Sequence, residues 1–282
     1  MKNKFEIKEP MILIDYLINI LNKPRKKAKS LLTNKAIYIN GKNITKYNYP
    51  LFPGNILEIK EYSNNKLDLD IIYEDKYIIV VNKRSGLLTV STENENEKTL
   101  YHQVSDYVKL KNKNARIFVI HRLDRDTSGV VMFAKDEKTK RLYQDNWDKL
   151  VSNRKYVAVL SGKPINKQGK IIEYLVEKEN MKVYAVSKNK GKIAITNYKI
   201  IKSNNKYTLI DIDLETGRKN QIRVAMQNMN TPIVGDKKYG SKEDPLKRLG
   251  LHAYKLVLTN PLNNKKMVFT SPYPDCFNKI VK

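Results

Sequence analysis

Basic residues outnumber acidic ones by 54 to 29 in this 282-residue chain, a formal net charge of +25 at pH 7. That excess favours a polyanionic partner, nucleic acid ahead of anionic membrane, although a composition rich in Lys, Asn and Ile of the kind an A/T-biased genome produces accounts for part of it. The single cysteine, Cys276, excludes a disulfide framework and a thiolate metal site, and without an apolar run of about 18 residues or a secretory leader pattern the chain is expected to be soluble and cytoplasmic.

Apolar residues at helical spacing over 11–21 predict a first helix, stopped at Asn22-Lys23-Pro24. Pro24 suits the first turn of the next helix, 25–32, whose Arg25, Lys26, Lys27 and Lys29 make one strongly basic face. An alternating strand at 37–39 runs into Asn40-Gly41, a pair that readily takes positive φ, and a turn with a last strand closes the segment over 51–59. Two short helices, a basic face and a hairpin are too little for catalysis. They suit a clamp on a phosphate backbone, with Arg25, Lys26 and Lys29 as RNA contacts; the bland alternative is a solvated helix face. The order resembles the S4 RNA-binding module, with Ala36 and Asn55 standing where that module usually has Gly and Asp. This small α/β domain is assigned to 1–60, and the polar, Asn/Lys-rich stretch 61–69 reads as a linker to a larger domain, 70–282.

The larger domain opens with strand, turn and strand over 71–83, Asp75-Lys76 supplying the turn. A polar, acidic loop at 91–98 and an amphipathic helix at 100–110 follow. Apolar runs at 117–120 and 130–134 read as buried strands on either side of His121-Arg122-Leu123-Asp124-Arg125-Asp126-Thr127-Ser128-Gly129. Charges held between buried strands are costly unless paired or functional, so this stretch is either a structural ion-pair turn or a catalytic centre. One helix is expected over 136–151, with Leu142, Trp147, Leu150 and Val151 on its buried side. Strands are expected at 155–160, 182–186, 194–201 and 207–214. A tight turn over 215–220 then feeds a helix whose N-terminal backbone, with Arg218 and Arg223, could hold an anion. A Gly-bounded loop at 232–240 precedes the last strands, from 251. Strands without a regular βαβ repeat argue for an α+β fold with a largely antiparallel sheet.

Several chemistries can be set aside. His102, His121 and His252 fit no metal spacing, and residues 235–240 lack the Lys-Ser/Thr of a P-loop. Residues 121–124 look like a kinase catalytic loop, but Leu123 is inserted and no Gly-rich loop or D-F-G exists. Asp124 and Asp126, two residues apart, are poorly placed to flank a glycosidic bond. One loop carboxylate in a basic, aromatic-rich chain remains.

Four blocks then carry a resemblance: Tyr73-Glu74-Asp75 through Asn82-Lys83 and Gly86-Leu87; the nine residues 121–129; Lys155-Tyr156-Val157-Ala158-Val159 with Gly162; and Thr216-Gly217-Arg218 with Gln221-Ile222-Arg223, followed by Pro232-Ile233-Val234-Gly235-Asp236 and Tyr239-Gly240. Leu251-His252-Ala253 adds a further agreement. In these the chain resembles the RluA-type RNA pseudouridine synthases over nearly its whole length after residue 70. The resemblance implies the pseudouridine synthase fold, a mixed, largely antiparallel sheet flanked by helices, and isomerisation of uridine in RNA, most of all large-subunit ribosomal RNA, with transfer RNA second. It implies no cofactor and no metal; a monomer is the default.

The resemblance also implies roles. Asp124 is the catalytic aspartate, acting as nucleophile or as base at the ribose; it must be ionised, and Arg223 pairs with it and lowers its pKa. Tyr156 lies against the target uracil and assists proton transfer from C5. Arg122 enters the RNA where the uridine has flipped out; Arg125 and Arg218 are further RNA contacts. His121 supports the loop, and Asp126, Thr127 and Ser128 fix it by local side-chain-to-backbone hydrogen bonds. Lys219, Asn220 and Ala225 depart from the family block, which usually has Thr and two His there, and Arg84 stands where Pro usually follows Asn82-Lys83. A non-catalytic RNA-binding factor on the same fold is the alternative.

Overall fold

The computed structural model describes residues 4–33, 36–59, 69–91, 99–179, 181–188 and 190–282. The linker expected at 61–69 and the acidic loop expected at 91–98 lie almost wholly outside the described residues. The chain forms two compact units, residues 1–68 and 69–282.

In the first unit, strands Lys4–Glu6, Ile56–Ile59, Ile37–Ile39 and Lys42–Asn43 make one antiparallel sheet in that order. Asn40 and Gly41 both have positive φ, 48° and 80°, as a tight two-residue hairpin requires. The first helix starts later than its periodicity predicts. Met11–Ile12 is instead paired as a strand with Pro50–Leu51, which satisfies its backbone across the unit, and the helical turns Leu13–Asp15 and Tyr16–Ile20 follow, the second wound as a π-helix. Helix Arg25–Thr33 buries Ala28 and Leu32, four residues apart on one face, against Leu13, Leu17, Ile37 and Leu57. Arg25, Lys26, Lys27 and Lys29 are left exposed.

The second unit is built on an eleven-stranded sheet. Across it run Val183–Val186, Gln168–Glu177, Lys192–Ser203, Tyr207–Leu214, Val151–Ser161, Leu251–Thr259, Ser128–Ala134, Ile78–Lys83 and Asp70–Glu74, with Lys266–Thr270 and Phe118–Val119 paired to its flanks. Every pairing is antiparallel except that of Ser128–Ala134 with Leu251–Thr259, which is parallel and brief, Ser128 opposite His252 and Gly129 opposite Ala253. The fold is therefore α+β on a mixed, largely antiparallel sheet. Gly129 is required at the parallel crossing: its φ is +122°, and a Cβ there would overlap the Ala253 backbone.

Residues 78–81 and 130–134, within strands Ile78–Lys83 and Ser128–Ala134, are apolar throughout because both faces of the sheet are covered. Ile79, Val81, Val131 and Phe133 pack with helix Leu100–Lys111 through Leu100, Val104 and Val108. Ile78, Val80, Val130 and Met132 face the opposite cluster around Tyr143 and Leu256. Three expectations are corrected. The run 117–120 contributes only the two-residue strand Phe118–Val119. The single helix expected over 136–151 is two, Glu137–Asp145 and Trp147–Leu150, broken at Asn146, and Val151 already begins a strand; Tyr143 rather than Leu142 is its buried anchor. Strand Gln168–Glu177 carries no clear signature, since apolar residues stand side by side at Ile171-Ile172 and Leu175-Val176 and so fall on both faces, Leu175 buried and Ile172 outward. Among the described residues no helix is long and apolar enough to cross a membrane.

Candidate active site

The stretch 121–129 crosses from one covered face of the sheet to the other: Ile120 packs in the Tyr143 cluster and Leu123 in the cluster beneath helix Leu100–Lys111. Just after Leu123 the backbone turns, Thr127 N–H donating to the Asp124 carbonyl at 3.2 Å. The bonds that hold the turn come chiefly from residues 83–89. The Lys83 ammonium, fully buried, donates to the carbonyls of Leu87 (2.6 Å), Arg125 (2.8 Å) and Arg84 (3.1 Å). Ser85 Oγ donates to the Asp126 carbonyl at 2.6 Å, Gly86 N–H to the Arg125 carbonyl at 3.0 Å, and Thr89 Oγ1 to the Leu123 carbonyl at 2.8 Å. Burial pushes the Lys83 ammonium down to about 7, against the pull of Asp126 and Asp124. Among the described residues neither Asp126 nor Thr127 makes a side-chain hydrogen bond, so the local bonds expected of them are not what fixes the turn. Asp126 is exposed and Thr127 buried. Ser128 meets His252 Nδ1 at 2.7 Å and accepts from Arg248 Nη2 at 2.6 Å.

The turn opens into a cleft of about 650 Å³ lined by Asp124, Tyr156 and Arg223 together with Arg122, Arg125, His121, Trp147, Arg154, Arg218 and Lys219. Sequence-distant candidates thus share one cleft. Tyr156 spans the seam between two core clusters, and its strand is the one paired to Leu251–Thr259, which carries the parallel crossing. Burial, opposed by Arg154, pushes its phenol up to about 12, so it is protonated at neutral pH.

Asp124 differs from expectation. Burial raises its pKa above the ordinary carboxylate value, and the surrounding cations Arg223, Lys219, Lys83 and Arg122 oppose but do not reverse that rise. Among the described residues its carboxylate takes no hydrogen bond and no ion pair. Arg223 does not pair with it: the guanidinium grips Asp236 instead, Nε to Oδ2 at 2.7 Å and Nη2 to Oδ1 at 2.8 Å. The reason is a cage closed by the loop 232–240. Asp236 is fully buried and accepts the Tyr239 N–H as well, at 3.1 Å; the Tyr239 ring lies 4.8 Å under the guanidinium; and Asn220, with φ 54° at the helix start, accepts from Arg223 Nη1 at 3.0 Å while donating Nδ2 to Tyr239 Oη at 3.1 Å. Asn220 is one of the departures from the family block, and it makes two side-chain bonds in the cage.

Beside it, Gln221 locks the turn, accepting from Thr216 Oγ1 (2.8 Å) and the Arg218 N–H (3.0 Å) and donating to Ile195 O (3.0 Å) and Thr196 Oγ1 (2.9 Å). Arg218 spends its Nε on the Ile193 carbonyl at 3.0 Å, and Lys219 is paired with Glu177. His121 accepts the Met132 N–H on Nε2 at 3.2 Å, and burial, with Arg154 nearby, lowers its pKa to about 4. It is a neutral support. Arg122 is exposed at the cleft and Arg125 half-buried. Sequence reasoning gave no role to Asp236, Lys83, Thr89 or Arg154. Asp236 and Lys83 stood inside the quoted blocks, which was the available signal. Among the described residues no three metal-ligating side chains gather.

Residues 77–228 match the family model described as RNA pseudouridylate synthase. Among curated proteins the chain is similar to an uncharacterised RNA pseudouridine synthase of Mycoplasma pneumoniae, 32% identical over 99% of this chain and 94% of that one. It is also similar to ribosomal large subunit pseudouridine synthase D of Borreliella burgdorferi, 31% identical over 98% of this chain and 90% of that one. Among solved structures, human RNA pseudouridylate synthase domain containing 4 superimposes with a TM-score of 0.62 at 24% identity, over 74% of this chain and 90% of that chain, which shows the same fold.

Proposed function

Since the chain belongs to the RNA pseudouridylate synthase family and is accordingly an isomerase acting on RNA, we propose that Asp124 is its catalytic carboxylate and that its substrate is large-subunit ribosomal RNA. The observation that carries the assignment of Asp124 is its situation: a carboxylate in the cleft, surrounded by cations yet bonded to none among the described residues. A structural carboxylate would be paired, as Asp236 is; an unpaired one held in a buried, electropositive site is available to a substrate.

The target uridine flips out of its RNA, with Arg122 entering the gap and the uracil lying against the Tyr156 ring. Asp124 acts at the ribose, as nucleophile at C1′ or as base. The N1–C1′ bond breaks, the uracil turns, C5 bonds to C1′, and the hydrogen carried by C5 is lost as a proton while N1 gains one. A phenol with a pKa near 12 does not supply a phenolate at neutral pH, so Tyr156 positions the base and offers a protonated hydroxyl. Arg223, held by Asp236, contributes charge through space and no contact to the carboxylate. In the first unit, the exposed Arg25, Lys26 and Lys29 take RNA phosphates in the manner of an S4 module; the substrate preference is supported by the ribosomal relative. Tritium release from RNA labelled at uracil C5 tests the assignment: full release by the wild type and none by Asp124→Asn is expected, whereas release by Asp124→Asn at more than about a hundredth of the wild-type rate refutes it.

A further inference from the structure

One aromatic side chain of the cleft has no role in that chemistry. Trp147, the sole tryptophan of the chain, lines the cleft on the same wall as His121, its ring 4.9 Å from the imidazole and tilted by 35°. Its position depends on a break in the chain. An unbroken helix from Glu137 would set Trp147 four residues after Tyr143, on the same face, and Tyr143 is fully buried. The helix stops instead at Asn146, whose Nδ2 donates to the Leu142 carbonyl at 3.0 Å. Trp147 then begins a separate turn; it rests against the edge of the cluster around Tyr143 and is half-exposed where it lines the cleft.

The imidazole behind it is fixed by the Met132 N–H and carries no charge at neutral pH, so the pair forms a rigid, apolar aromatic wall. Cations flank it: Arg122 is exposed, and Arg154 is anchored through Nη2 to the Glu215 carbonyl at 2.8 Å. A flat aromatic surface flanked by guanidinium groups fits a nucleobase with its adjacent phosphate. The target uracil is not the occupant, because that place belongs to Tyr156.

We propose that the Trp147–His121 wall stacks a second nucleobase of the substrate RNA, one flanking the flipped uridine, and thereby helps to select the site of modification. The proposal rests on the assignment of an RNA-uridine isomerase above, and its test separates the two. Intrinsic fluorescence of full-length Asp124→Asn, excited at the red edge where tryptophan absorbs and the 18 tyrosines do not, reports Trp147 alone. Adding unmodified large-subunit ribosomal RNA transcript is expected to quench it and to shield it from iodide. Unchanged intensity and iodide access with RNA bound overturns the proposal.

In an otherwise wild-type chain, Trp147→Leu keeps apolar volume without a π-face and is expected to raise KM about tenfold, the scale of one lost base stack, with kcat nearly unchanged. Trp147→Phe restores most of the KM. A Trp147→Leu variant of wild-type Tm and wild-type KM overturns the wall; one whose Tm falls while KM holds identifies Trp147 as core packing and overturns it equally. If the wild type releases no tritium from any RNA, the isomerase assignment of the site fails, while quenching still decides the wall.

Discussion

Replacing Asp236 by Asn removes one charge from a pair that is almost sealed from water, the Arg223 side chain being 11% exposed and that of Asp236 0%. Breaking a buried pair from one side typically costs about 3–5 kcal/mol, because the remaining charge loses its partner and cannot regain solvent. Asn keeps the shape and one acceptor oxygen, which places the cost near the lower end. An unfolding entropy of about 2.1 cal/mol/K per residue gives about 0.45 kcal/mol/K for a unit of this length, residues 69–282. Calorimetry should therefore show the second unit melting about 7 °C lower. A second effect has the same cause. With Asp236 neutralised, the Arg223 charge acts on Asp124 uncompensated, and the carboxylate pKa falls. The acid limb of kcat/KM then moves to lower pH than in the wild type. Replacing Arg223 by Met in the same chain removes the orphaned charge and is expected to recover much of the lost stability. A Tm within about 2 °C of the wild type for Asp236→Asn alone refutes the reasoning, since it means the pair is not a buried restraint.

Four further outcomes follow. Asp124 carries a folded-state pKa above its ordinary value, so its ionised form costs stability at neutral pH and the cost is relieved as pH falls through the folded pKa; Asp124→Asn should abolish tritium release while leaving Tm at or above the wild type, and a fall of more than about 2 °C would contradict this. In the wild type, kcat/KM should rise with pH through one limb lying above the usual carboxylate range, whereas a limb near 6.5 that disappears in His121→Gln would show that the histidine titrates during turnover. Lys83→Met takes the ammonium from the carbonyls of Leu87, Arg84 and Arg125, of which that of Arg125 keeps the Gly86 N–H, and each carbonyl left without a donor costs about 1 kcal/mol or more; trypsin should then cut after Arg122 or Arg125 at a rate the wild type does not show, and equal cleavage kinetics would deny Lys83 its hold on the turn. Changing Arg25, Lys26 and Lys29 together to Gln should lower the slope of log affinity against log salt by about 2–3 for RNA, and an unchanged slope would remove the first unit's basic helix from the interface.

How much of this was legible in the chain itself depends on the range of the physics involved. Local signals were read correctly: the Asn40-Gly41 hairpin, the strand 207–214, the helix from 100 and the isolation of one loop between apolar runs all follow from φ preferences and side-chain periodicity over a few residues. The family blocks added which distant residues belong together, and Asp124, Tyr156 and Arg223 do line one cleft. The failures have a common form. Whether Arg223 bonds Asp124 or Asp236 is decided by where the loop 232–240 folds back, bringing Tyr239 under the guanidinium and Asn220 beside it. Whether Asp124 is raised or lowered in pKa is a balance of desolvation against several cations, and burial is a property of the assembled sheet. The break at Asn146 cannot be seen in periodicity that continues smoothly through it, and the strand Gln168–Glu177 sets apolar residues on both faces and so shows no alternation in its sequence. By itself the sequence determined most of the elements, the basic character and the one carboxylate singled out in the loop, because those reside in individual residues and their neighbours. Only the tertiary structure decided what that carboxylate feels, because electrostatic environment and pairing are set by groups that arrive from elsewhere in the chain.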